Sequence, residues 1–143
     1  MARCTYALPN EIMDKISKLA ERTDEIIPRV LAAGGKVAFE KVKSNLQSVV
    51  GTGTKYESRS TGELAGALGV SGARLDRDGN WNVKVGFAPR RSDGKSNAMI
   101  AGVIEYGKSG QPAKPFMKPA KSQSKNAAIN AMKDALRREV DGT

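Results

Sequence analysis

The chain has 143 residues, with 24 Lys and Arg against 15 Asp and Glu, a formal net charge of +9, no His and one Cys. Without imidazole there is no Ser-His-Asp or Cys-His nucleophile system, no His-ligated zinc site and no histidine proton shuttle; Cys4 alone closes no intrachain disulfide and builds no thiolate metal site. The 39% hydrophobic and 5% aromatic content fits a single domain with a modest core, and no apolar run approaches the length of a membrane span.

The first third reads as helical. Ile12, Ile16, Leu19 and Ala20 recur at helical spacing after Pro9, with Glu11 and Asp14 where the helix dipole favours acids. Residues 1–25 form an N-terminal helical extension and carry no signal-peptide pattern. Thr23-Asp24-Glu25 resembles a new helix start, and Pro28 places a break or kink between residues 23 and 28. A second helix then carries Ile27, Val30, Leu31, Val37, Ala38, Val42, Leu46 and Val49 on one stripe. Inside it Gly34-Gly35 costs about 1 kcal/mol per residue relative to Ala, which either a close helix crossing or a bend would explain.

Residues 51–61 read as a loop. Thr61 is placed to cap a short helix from Gly62 to Leu68, ended by Gly69. Two strands follow, about Val70 to Arg77 and Trp81 to Ala88, reversing at Asp78-Gly79-Asn80; on the second, Trp81, Val83, Val85 and Phe87 alternate with wetter positions. Pro89 to Asn97 is basic and reads as a flexible loop. The apolar run Met99, Ile100, Val103, Ile104, Tyr106 is taken as a helix closing at Gly107, with a strand as the alternative. Pro112, Pro115 and Pro119 forbid a helix until Pro119, which opens a last helix to about Val140 with Ala120, Ala127, Ala128, Ala131, Met132, Ala135 and Leu136 inward.

Candidate chemistry is sparse. Glu105 interrupts an apolar run, so a carboxyl carried toward the core would have a raised pKa and suit a general acid; the alternative is a helix-end carboxylate paired with a Lys or Arg of its own or a neighbouring subunit. GTGTK at 51–55 lacks the Walker spacing, and Asp76, Asp78 and Asn80 lack the terminal Glu of a calcium loop, so no cofactor or metal site is read. Lys108, Lys114, Lys118, Lys121, Lys125, Lys133, Arg137 and Arg138 face only Asp134 between residues 108 and 138. That cluster suits phosphate, yet no base-reading motif accompanies it, and a face complementary to an acidic neighbour explains it as well.

Ile104-Glu105-Tyr106-Gly107, followed by Gln111-Pro112-Ala113-Lys114-Pro115-Phe116-Met117-Lys118-Pro119-Ala120, is similar to the "E-[YF]-G-T … P-A-[RK]-P-F-[LM]-[RK]-P-A" block of the HK-ninety-seven gene-product-ten-like proteins of tailed bacteriophages. Thr61-Gly62-Glu63-Leu64 resembles the family's earlier "T-G-x-L" signature, and Lys108 stands where the family commonly has Thr. The likeness covers roughly Ile27 to Val140.

The resemblance implies an α+β domain, long N-terminal helices and a C-terminal helix packed on a small antiparallel sheet. It further implies a non-enzymatic virion protein of the neck: a ring of copies, six-fold, joining tail to head around a DNA channel. Expected partners are itself, head-closure or adaptor proteins, tail terminator or tail tube proteins, and passing genomic DNA non-specifically, with no membrane. The expected location is the virion neck, after synthesis in the bacterial host cytoplasm. A basic nucleic-acid-binding module is the alternative. The proline-stiffened arm, anchored by Phe116 on its own core or on an adjacent subunit, makes Glu105, Tyr106, Gly107, Pro112, Pro115, Phe116 and Pro119 the expected interface positions.

Overall fold

The computed structural model describes residues 2–5, 7–50, 63–88, 94 and 96–142. The loop read at 51–61, the Thr61 cap, Gly62 and most of the basic loop 89–97 lie outside the described residues. Helix α1 (Asn10–Glu21) is followed after Arg22 by α2 (Thr23–Val49). Then come α3 (Glu63–Ala67), β1 (Leu68–Val70), β2 (Arg74–Leu75), β3 (Trp81–Asn82), β4 (Val85–Phe87), α4 (Asn97–Tyr106) and α5 (Met117–Asp141). The fold is α+β, as expected.

Thr23 does open α2, but not as a forward cap: its hydroxyl donates back to the Leu19 carbonyl, and Asp24 and Glu25 supply the acidic first turn. Pro28 lies in the second turn rather than the first, inside a helix that continues through it. Of the expected apolar stripe, Val42 and Leu46 are buried, and the departure lies at its N-terminal end. Ile26 is buried, whereas Ile27, Val30 and Leu31 are only half-buried, because α2 is covered from two sides by different elements.

The two glycines mark those sides. Residues adjacent in a helix point about 100° apart, so Gly34 and Gly35 face different neighbours. A Cβ on Gly34 would lie 2.7 Å from Met132 Cγ of α5, and one on Gly35 would lie 2.8 Å from Val83 Cγ1 and 3.1 Å from Val70 Cγ1 of the strands. Close packing accounts for both glycines. Gly35→Ala is expected to destabilise by about 1–3 kcal/mol, since two β-branched side chains held in a sheet must move. Gly34→Ala is expected to be near neutral, because the unbranched Met132 can change rotamer while the helix gains about 1 kcal/mol of propensity. Urea denaturation of the two variants checks the contrast.

The four strands form one long hairpin broken by a bulge. Leu68, Gly69 and Val70 pair with Phe87, Gly86 and Val85, and the ladder continues through Ser71 and Lys84. Beyond it, Arg74 and Leu75 pair with Asn82 and Trp81, so Gly72 and Ala73 together oppose Val83. One extra residue on the first arm flips its alternation: Leu75 shares a face with Leu68 and Val70 although their spacing is odd. The second arm keeps an unbroken period of two, which is why only that arm shows clean alternation in the sequence. At the turn, the Asp76 carboxylate accepts from the Asp78 and Asn80 amides, both at 2.9 Å, and so organises the reversal.

The core gathers Val42 and Leu46 of α2, Leu64 of α3, Leu68 of β1, Ala101 of α4, and Phe116 and Ala120 at the start of α5. Helix α5 runs along α2. The pair is tied at one end by Glu139, which accepts from Arg29 at 3.0 Å and Arg22 at 3.4 Å, and at the other by Asn45, whose amide donates to the Phe116 carbonyl and to Gln123. Ala127 and Leu136, expected inward, are exposed: the inward arc of α5 is the narrow one of Ala120, Ser124 and Ala135, small residues that let α2 approach.

A candidate interaction site where α4 meets α5

The run 97–106 resolves as a helix, not a strand. Ser96 caps it by accepting from the Met99 amide, and Gly107 ends it with φ of 78°, a left-handed conformation open to glycine at little cost. A side chain there would also strike the Ala113 amide nitrogen at 2.7 Å. The close approach arises because the proline segment does not project as a stiff arm. Lys108 and Gln111 exchange backbone hydrogen bonds across a tight turn, and the Lys114 amide donates to the Ile104 carbonyl at 2.8 Å, laying the segment back along α4.

This return places Glu105 against the start of α5. Its carboxylate accepts from three successive amides, Phe116 and Met117 on Oε2 at 2.8 and 2.9 Å and Lys118 on Oε1 at 3.0 Å. A helix leaves its first amides without partners and carries partial positive charge at that end. Residue 119 is proline and has no amide, so Glu105 satisfies every donor from residue 116 to 119. Burial alone would push its pKa up; the three backbone amides and the nearby Lys118 ammonium outweigh that, and the net shift is downward. Glu105 is therefore ionised near neutral pH, which removes the general-acid role, and its main partner is a helix terminus rather than the expected side-chain cation. The same bonds explain why α5 begins at Met117, two residues before the position expected from Pro119.

Phe116 is fully buried within its own chain and meets Phe87 edge to face, with centroids 6.2 Å apart and planes at 76°. Of the other expected interface positions, Gly107 and Pro119 are half-buried, and Pro112 and Pro115 are exposed. Tyr106, one residue from the buried Glu105, is 82% exposed. The structure thus brings all seven residues to one junction, where Glu105 and Phe116 hold the junction together and Tyr106 and the two prolines form its surface.

Beside the junction runs an open groove of about 990 Å³, floored by Val42, Phe87, Ala101, Gly102 and Ala128, with Tyr106, Lys118, Lys121 and Lys125 on its walls. Its lining is predominantly apolar, and the lysines fall on one stripe of α5 by their i, i+3, i+7 spacing. Sequence reasoning missed the groove because Ala38, Ala98, Ala101 and Ala128 come from three separated helices and carry no pattern by themselves. It also missed Asn45, a polar residue on a half-buried stretch of α2. Among the described residues no group of three or more Cys, Asp or Glu is placed to hold a metal ion, and no helix is long and apolar enough to cross a membrane.

Among the described residues the one buried carboxylate, Glu105, caps a helix, so the geometry at this junction is that of a structural support. The chain belongs to the family described as "Bacteriophage HK97-gp10, putative tail-component", whose family model matches residues 10–107. It is a tail-related structural protein of a bacteriophage. No curated protein and no solved structure matches the chain. The family match ends at Gly107, so the Glu105 hydrogen bonds join the last matched helix to a C-terminal helix outside the matched stretch.

Proposed function

We propose that the protein is a non-enzymatic component of the phage neck, assembling as a ring around the DNA channel between head and tail. Family membership over residues 10–107 is the observation that carries this reading. Two features agree with it: Glu105 is committed to helix capping, and the exposed Tyr106 lines a lysine-walled groove, a surface suited to protein contact. Ring partners would be further copies, stacked between head-closure or adaptor proteins and the tail terminator or tube, with the virion neck as location.

Disrupting the gene in a phage that carries it is the test. The expected result by electron microscopy is filled heads and finished tails that fail to join, rescued by the gene supplied in trans. Normal infectious virions would overturn the proposal. The runner-up, a nucleic-acid-binding module, draws on Lys118, Lys121 and Lys125. It predicts a monomer whose DNA affinity falls steeply with salt, whereas the neck reading predicts weak, sequence-independent binding in the same titration.

A further inference from the structure

Among the described residues, helix α1 is left largely open, in contact with its own chain where it meets the start of α2. None of its residues is buried, and Leu8, Ile12, Met13 and Ile16 are 55%, 46%, 48% and 51% exposed. Ile12, Met13 and Ile16, with Leu19, fall on one face of the helix at spacings of three and four, while Glu11, Asp14, Lys18 and Glu21 lie on the other; Leu8 precedes the helix. An amphipathic helix left open in this way needs a cover, and so does the apolar groove beside the α4–α5 junction.

The helix does not reach its own groove. Only Arg22 separates α1 from α2, whereas a reversal between helices takes about 2–5 residues. Even folded back, Ile12 and Ile16 would stop within about 15 Å of that corner, while Ala38 and Val42, the groove residues of α2, begin about 22 Å along it. Charge favours a second copy as the occupant. Helix α1 holds three carboxylates, Glu11, Asp14 and Glu21, against two cations, Lys15 and Lys18, and so is slightly acidic in a chain of net charge +9. The groove is walled by Lys118, Lys121 and Lys125; the carboxylate among its lining residues, Glu105, is engaged by the α5 amides, and α5 has no carboxylate before Asp134.

We propose that α1 of one copy docks its Ile12–Ile16 face into the α2–α4–α5 groove of the next copy. The contact uses two different patches of one molecule, so it is head-to-tail, and repeated it closes a ring or propagates a filament. It rests on the ring reading above and names the interface that reading requires.

Sedimentation of the full chain and full-length variants over a range of protein and salt concentrations tests it. Ile16→Asp removes the helix face, and Ala128→Glu puts a charge on the groove floor; Ala98→Glu, at an exposed groove position, is the second groove variant, and thermal melting verifies that each folds. The wild type is expected to self-associate, more weakly as salt rises, and each variant to associate about tenfold less or worse. The deciding sample is an equal mixture of Ile16→Asp with a groove variant. One intact helix and one intact groove then meet once only, so the mixture should form a one-to-one dimer and nothing larger. A wild type that assembles while the variants assemble equally, or variants that do not complement, would overturn the contact and leave the ring standing. A wild type that stays monomeric throughout would overturn both and assign the groove to another protein.

Discussion

Phe116→Ala is expected to lower stability by about 3–5 kcal/mol, the range for emptying a buried aromatic site, and to lower the melting temperature of the isolated chain by roughly 10 °C or more. The size follows from its surroundings. Phe116 has no exposed surface, meets Phe87 edge to face, and lies between the α4 return and the first turn of α5, so the neighbouring backbone is pinned and cannot collapse into the space. Were Phe116 an anchor between subunits, melting of the monomer would barely move while assembly failed. Differential scanning calorimetry at low protein concentration separates the two, and an unchanged melting temperature would contradict the burial.

Glu105→Gln is expected to cost on the order of 2–4 kcal/mol at neutral pH, because an amide oxygen replaces a carboxylate that accepts three backbone hydrogen bonds at a helix terminus. The pH dependence has a definite sign. Since the folded-state pKa lies below the ordinary value of 4.5, the stabilisation is fully present above that value and is lost as pH falls through the folded pKa. The gap between wild type and Glu105→Gln should therefore be widest at neutral pH and close in acid, below the ordinary value. Urea titrations of both proteins at neutral and acidic pH check this. A gap that widens in acid would mean a raised pKa and would restore the general-acid reading.

The two substitutions probe one device. The spacing of a Glu, a Gly and a Pro-Phe pair is explained by what each does at the junction: Gly107 turns the chain, the Lys108–Gln111 turn returns it, Phe116 fills the core and Glu105 caps the helix that follows. The block that resembles the family's signature thus works first as an internal clasp. In the proposed assembly, its contribution comes through the surface it positions, Tyr106 and the lysine-walled groove.

Much of the fold was legible in the sequence where a local rule sufficed. Helices α2, α4 and α5, the Gly107 stop and the reversal near Gly79 all follow from periodicity and turn chemistry acting within a few residues. The hairpin's first arm was read less well, because the bulge at Gly72 and Ala73 shifts its phase and hides the alternation. The inward face of α5 was drawn too wide, since Ala127 and Leu136 look like core residues until the line of contact with α2 is known. The sequence grouped seven residues around the junction as expected interface positions. Their separate tasks were not legible, because Glu105 and Phe116 are eleven positions apart and only the path of the proline segment brings one onto the amide of the other.

By itself, then, the sequence determined the residue types available for chemistry, the order and type of most elements, and a resemblance to its family, all properties carried by residue type and short-range spacing. The tertiary structure decided whether Glu105 is an acid or a cap, whether Phe116 points into its own core, and where the apolar surface remains open. Those outcomes depend on which groups from distant segments meet. A pKa, a buried ring and a groove are each set by neighbours that no local window contains.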